Sequence, residues 1–111
     1  MNTDTTNKIL LEDVNFEGVK VRVLISKFVT GKSYKIHTQE YDEEMGGYIP
    51  YCIHTANFPD ILEEGEVAVK EYNESLGSLA FLYAHDIIGP PQFVINSGHV
   101  QLPVCKLLVT P

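Results

Sequence analysis

The sequence predicts an α+β domain, built as a single-layer, mostly antiparallel sheet with one helix packed on one face. Several short segments alternate apolar and polar residues, one segment has helical periodicity, and 111 residues suffice for one hydrophobic core but not two. The expected element order is β-β-β-β-α-β-β, in a single domain that covers residues 8–111. Residues 1–7 are polar and terminal, so we expect them to be disordered.

The first two predicted strands form a hairpin. In residues 19–29 the valines and Ile25 fall on one face while Lys20 and Arg22 fall on the other. This period of two, carried by β-branched residues, is typical of a half-buried strand. A Gly-Lys-Ser turn follows, and residues 34–41 are expected to return antiparallel to the first strand.

Two further strands are predicted before the helix. A polar hairpin tip at residues 42–47 contains Gly46 and Gly47, which tolerate the backbone conformations of tight turns. The third strand should then cover residues 48–56, with a fourth and shorter strand at residues 66–72.

One helix is predicted over residues 73–86. Asn73 is a favourable capping residue, and a Gly-Pro-Pro run after the segment ends it. Residues 92–96 and 99–109 should then form a closing hairpin around a Ser-Gly turn. Apolar side chains recur at helical spacing, so we expect one stripe to face the sheet: Leu76, Leu79, Ala80, Tyr83 and Ile87.

Charge excludes several functions. The net charge is −7, and residues 40–86 carry eleven acidic side chains against Lys70 alone. Nucleic-acid binders and proteins of anionic membrane surfaces depend on clustered cations, so we expect neither direct nucleic-acid binding nor a membrane partner. No phosphate-binding loop, dinucleotide-binding fingerprint or nucleophile elbow occurs, and we expect no cofactor.

The cysteines and the start of the chain indicate a cytoplasmic protein. Cys52 and Cys105 lie far apart without a CxxC spacing, so we expect free thiols in a reducing compartment. The first eight residues lack the positive start and long apolar run of a secretory signal, and no apolar stretch is long enough to span a membrane.

A set of turn and strand-end residues resembles a known family. The set comprises Asn-Phe-Pro-Asp at residues 57–60, Gly65 and the strand after it, and then Gly-Pro-Pro and Ser-Gly turns. Within residues 50–108 it resembles an uncharacterised family of small bacterial proteins with a domain of unknown function, found in gut anaerobes and near mobile genetic elements. The resemblance implies a bacterial origin and a small sheet-plus-helix fold, and it assigns no catalytic residue.

Histidines and a cysteine suggest one candidate chemical site. If the hairpin pairs residues whose numbers sum to 93, Gln39 lies opposite His54, and one face carries His37, Tyr41, Cys52 and His54. Such a face is suited to a zinc ion or to a thiol paired with an imidazole base. The alternative is that these side chains are core or surface residues, because no recognised metal-binding spacing is present.

Carboxylates and tyrosines suggest an interaction surface instead. We expect it to bind a protein partner, of basic character, by electrostatic complementarity, although solvated turns and ordinary strand tyrosines also explain these residues. The expected surface consists of Glu40, Tyr41, Asp42, Glu43, Glu44, Tyr48, Tyr51, Glu63 and Glu64.

Three functions therefore follow from the sequence. The favoured one is a non-catalytic interaction module, such as an accessory protein of a mobile element. The alternatives are a small metal-binding protein or hydrolase-like enzyme built on His37, Cys52 and His54, and a ligand-binding groove between helix and sheet. A homodimer is compatible with each, since Phe81 with Leu82, or an apolar closing strand at an edge, would suit a second copy.

Overall fold

The computed structural model describes residues 7–111, so the expectation of disorder at residues 1–7 lies outside the described residues for all but Asn7. Within that range, the chain forms eight strands, one α-helix (α1, Ser78–Ala84) and a 3₁₀ turn at Asn73–Ser75. The strands are β1 (Lys8–Phe16), β2 (Val19–Lys27), β3 (Tyr34–Asp42), β4 (Gly47–Ile53), β5 (Thr55–Ala56), β6 (Glu66–Val69), β7 (Ile88–Ser97) and β8 (Val100–Leu107).

The strands form two antiparallel sheets of four strands each. The first has the order β1-β2-β3-β4 and the second the order β5-β6-β8-β7. The α+β class and the antiparallel sheet structure are confirmed, whereas the single layer is wrong. Between β4 and β5, at His54, the chain passes from the first sheet to the second, so both sheets can contribute to a common core.

Apolar residues from both sheets and from α1 make that core. The second sheet also packs a smaller cluster, which includes Leu62, Leu102 and Val104. Because the two sheets and α1 all pack on the same interior, each sheet is covered by the other sheet as well as by the helix. The buried residues of the main core are Phe16, Val21, Val23, Ile25, Ile36, Cys52, Val67, Val69, Phe81, Leu82, Ile87, Ile88 and Cys105.

The first predicted hairpin is confirmed in β2 and β3. Val21, Val23 and Ile25 are buried, and Lys20 is exposed on the opposite face. β1 is not predicted from the sequence, because two register shifts and the positive φ of Asp13 interrupt its alternation.

The register of β3 with β4 differs from the one predicted. A bulge follows Thr38, so Gln39 lies opposite Pro50, and the His54 backbone N–H donates to the Ile36 carbonyl at 2.8 Å. His37 pairs with Ile53, on the face away from Cys52 and His54. The shared face expected for these residues is therefore wrong, because an inserted residue inverts the faces beyond it.

The predicted long helix is interrupted. Gly77 has φ +94°, which separates the 3₁₀ turn from α1 and leaves only seven residues in the α-helix. The expected apolar stripe is wrong, since Leu76 is 61% and Tyr83 54% exposed. Leu76 lies before the break and does not share the periodicity of α1, while Tyr83 lies on the face of α1 that points away from the core. The buried side chains of α1 are Ser78, Phe81 and Leu82. Within residues 7–111, no helix combines the length and the apolar character needed to cross a membrane.

The closing hairpin is longer than predicted. β7 begins at Ile88 and includes Pro90 and Pro91, which an edge strand tolerates because its outer N–H groups need no partner. β8 lies between β6 and β7 and is not an edge strand, so the condition under which it would pair with a second copy is not met. Phe81 and Leu82 are likewise buried in the chain's own core, so neither feature offers a surface to a second copy.

Candidate functional site

His54 is the centre of a buried polar cluster. Its side chain is fully buried, with Nε2 3.0 Å from the Thr38 hydroxyl and Nδ1 2.6 Å from the Ser78 hydroxyl. β3 supplies Thr38, and the start of α1 supplies Ser78. Both ring nitrogens have partners, as expected for a buried histidine.

Cys52 extends the cluster toward the surface. Its Sγ lies 3.4 Å from the Ser75 hydroxyl and 3.8 Å from His54 Nδ1. The Ser75 hydroxyl donates to the carbonyl of Ile53 at 3.0 Å, so the 3₁₀ turn is fastened to the end of β4. The cluster thus joins the first sheet to the 3₁₀ turn and α1 through side-chain hydrogen bonds.

Burial sets the protonation of these groups. It lowers the pKa of His54 to about 4, with positive charge at His37 and Lys70 acting in the same direction. Burial also raises the pKa of the Cys52 thiol, against smaller opposing effects from Ser75 and Lys70. A nucleophilic cysteine needs a lowered pKa, so this neutral thiol and neutral imidazole are poorly suited to covalent catalysis.

His37 does not join the cluster. It lies on the opposite face of β3, where Nε2 is 3.1 Å from Asn7 Oδ1, and burial with nearby Lys35 lowers its pKa to about 4. Nowhere in residues 7–111 do three or more His, Cys, Asp or Glu side chains converge in a way that would hold a metal ion. The structure therefore brings Cys52 and His54 together and separates His37 from them.

The tip of the β3–β4 hairpin is an ordered turn. The Asp42 carboxylate accepts hydrogen bonds from the backbone N–H groups of Glu44 at 2.8 Å and Met45 at 3.1 Å. The backbone carbonyl of Asp42 also accepts from the N–H of Gly46 at 2.9 Å. Side-chain bonds of this kind hold a turn in one conformation, so the tip presents its exposed residues from a defined backbone.

An aromatic pair lies directly behind this turn. Tyr41 and Tyr48 are cross-strand partners with ring centroids 5.4 Å apart in an edge-to-face arrangement, and they are 52% and 39% exposed. The Arg22 guanidinium lies 3.6 Å from the Tyr48 ring centroid, while its Nε donates to Gln39 Oε1 at 2.9 Å. The outer face of the hairpin is thus a fixed Arg–Tyr–Tyr layer.

The residues expected to form one interaction surface occupy three places. Glu63 and Glu64 lie near the β2–β3 turn, where Glu63 pairs with Lys32 at 3.3 Å, roughly 25 Å along β3 from the tip. Tyr51 packs against Phe16 in the core. The tip itself brings together Glu40, Tyr41, Asp42, Glu43, Glu44 and Tyr48.

Two residues beside these side chains are not predicted from the sequence. Met45 is 74% exposed at the turn, and Arg22 reaches it from β2. The pairing of Arg22 with Gln39 follows from the β2–β3 hairpin, so a correct register would have placed Arg22 beside the tyrosines. Searches against protein-family models, curated proteins and solved structures found no match for this chain.

Proposed function

We propose that this protein is a non-catalytic interaction module that binds a basic protein partner through the β3–β4 hairpin tip. We define the tip surface as Glu40, Tyr41, Asp42, Glu43, Glu44, Met45 and Tyr48. The observation that carries the proposal is the exposed, edge-to-face pair of Tyr41 and Tyr48, at the base of a turn that carries the exposed Glu43 and Glu44.

Residue chemistry supports a protein partner. Tyrosine and methionine are enriched at interfaces because they offer large apolar contact areas, and a tyrosine ring also accepts a cation on its face. Glu43 and Glu44 are exposed next to these rings, where they complement lysine or arginine side chains. A partner helix or loop with alternating basic and apolar residues would match both features.

Local order also favours binding. The hydrogen bonds from the Asp42 carboxylate to the backbone of the turn fix the tip before any partner arrives. The stacking of Arg22 on Tyr48 restrains one of the two rings. Groups that are already ordered lose less conformational entropy on association, so more of the contact energy contributes to affinity.

The global charge supports the same partner class. The chain carries a net charge of −7, and most of its acidic side chains lie between residues 40 and 86. A negative field of this kind accelerates encounters with cationic proteins and weakens as salt is added. We also propose a cytoplasmic location, and the two free, buried cysteines fit a reducing compartment.

Affinity capture with matched variants tests the proposal. Wild type, Glu43→Lys/Glu44→Lys and Glu63→Lys/Glu64→Lys serve as baits in a lysate of the source organism, at about 50 mM and about 300 mM salt. We expect wild type and the Glu63/Glu64 variant to retain the same basic protein at low salt. The Glu43/Glu44 variant should lose it, as should wild type at high salt.

The second variant is a matched control, because it makes the same charge change at the other end of β3. If all three baits retain the same proteins at both salt concentrations, the hairpin tip is not the binding surface. The identity of the retained protein also tests our hypothesis of an accessory role in a mobile genetic element.

A further inference from the structure

A cleft beside β3 and β4 forms a second candidate site. Its lining is basic, whereas the hairpin tip is acidic. Its volume is about 490 Å³, within the usual range for pockets that hold small ligands. The outer face of β3 contributes Lys35, His37 and Gln39, β4 contributes Ile53, and the segment after β6 contributes Lys70.

The charge of the cleft contrasts with that of the chain. Lys70 is the single basic residue between Lys35 and Lys106, and it lies in the most acidic part of the sequence, yet it shares this cleft with Lys35. Among the described residues, the ion pairs involve Lys20 and Lys32 and leave both cleft lysines without a carboxylate partner. Two lysines therefore face one carboxylate, that of Glu74, in the lining.

Other groups in the cleft complement an organic anion. The Gln39 side-chain oxygen accepts from Arg22, which leaves its amide N–H₂ group to donate. Ile53, the cross-strand partner of His37, is exposed in the lining and offers an apolar contact. His37 is uncharged at neutral pH, because burial lowers its pKa to about 4, so the lysines supply the positive charge.

We infer that this cleft binds a small organic anion, with a phosphate or carboxylate group between Lys35 and Lys70 and an apolar part against Ile53. The inference does not rest on the proposed function of the hairpin tip. Ammonium groups and amide donors bind both phosphates and carboxylates by charge-assisted hydrogen bonds. An experiment must therefore distinguish a phosphate ligand from a carboxylate ligand.

NMR titration of ¹⁵N-labelled protein tests the inference. Phenyl phosphate and benzoate are the anionic probes, and benzyl alcohol is the uncharged control. We expect at least one anion to give saturable shifts at the amides of Lys35, Gln39, Ile53 and Lys70, and benzyl alcohol to give none. The anion that binds identifies the class of ligand: binding of phenyl phosphate indicates a phosphate ester, and binding of benzoate indicates a carboxylate.

Charge variants make the test specific. Lys35→Gln and Lys70→Gln should each weaken binding about tenfold, the typical effect of losing one charge-assisted bond. Lys106→Gln, an exposed lysine on β8, and Glu43→Lys/Glu44→Lys should leave the affinity unchanged. Absence of saturable shifts with both anions would overturn the inference, and so would equal weakening by Lys106→Gln.

Discussion

The His54 cluster and the hairpin tip lie only a few residues apart on β3, yet they are opposites. Thr38 belongs to the cluster, in which every side chain is buried and hydrogen-bonded. Asp42 begins the tip, whose carboxylates and rings face solvent. Histidine, cysteine and serine are the residue types most associated with catalysis, but here they hold the core together. Access to solvent, more than residue type, separates a structural group from a functional one.

The largest expected effect comes from His54→Ala. Removing the buried imidazole creates a cavity, leaves the Ser78 hydroxyl without this partner and takes one of two partners from the Thr38 hydroxyl, so the free energy of unfolding should fall by about 3 kcal/mol. Urea denaturation followed by circular dichroism measures the change. His99→Ala, at an exposed position, is the control, and we expect it to stay within about 0.5 kcal/mol of wild type.

If His54→Ala left stability unchanged, the cluster would not be structural, and the comparison with the tip would fail. Capture of the partner by the folded fraction of this variant should match that of wild type. Loss of partner binding without loss of stability would instead make His54 part of the binding surface.

A second effect is the pH dependence of stability. His37 and His54 have a folded pKa of about 4, below the value of about 6.5 in the unfolded chain. The unfolded state therefore binds more protons, and stability present above the unfolded pKa is lost as pH falls toward 4. Between about pH 7 and about pH 5, each histidine should lower the free energy of unfolding by about 2 kcal/mol.

Urea unfolding at a series of pH values checks this expectation. In His54→Ala, about half of the decrease should remain, because His37 still titrates. An identical decrease in wild type and in this variant would show that His54 is not held neutral by the fold.

A smaller effect is expected at the turn itself. Asp42→Ala removes two hydrogen bonds to the backbone and should lower the free energy of unfolding by about 1 kcal/mol. Asp42→Asn keeps an acceptor oxygen and should recover most of that loss. Equal stability of wild type and Asp42→Ala would mean that the carboxylate does not order the tip.

The smallest effect on stability should come from Glu43→Lys/Glu44→Lys. Both side chains are exposed and form no ion pair among the described residues, so the free energy of unfolding should change by less than about 0.5 kcal/mol. Thermal unfolding measures it. A loss as large as that of His54→Ala would assign these carboxylates to the fold and remove the basis for a free binding surface.

Strands with regular alternation could be predicted from the sequence, and irregular ones could not. β2 and β3 alternate regularly and pair with each other without a register shift, so the predicted faces of this hairpin are correct. In β1 the left-handed backbone of Asp13 and two register shifts destroy the period. The positive φ of Gly77 likewise interrupts the period of the helical segment, and Leu76, which precedes it, is exposed.

The candidate site was harder to predict because it depends on register. The residue types around the tip were identified, since turn chemistry and charge are local properties of the sequence. The juxtaposition of His37 with Cys52 and His54 was not correct, because one bulge after Thr38 exchanges the faces of the strand pair. Nothing local in the sequence marks that bulge.

Photo-crosslinking in living cells tests the central claim most directly. A benzophenone amino acid is placed at Met45 in the tip or at Val29, which is 80% exposed near the opposite end of β3. The account predicts a crosslinked protein of basic character from position 45, and none from position 29. Equal yields from both positions, or no crosslink from position 45, would contradict the assignment of the hairpin tip as the binding surface.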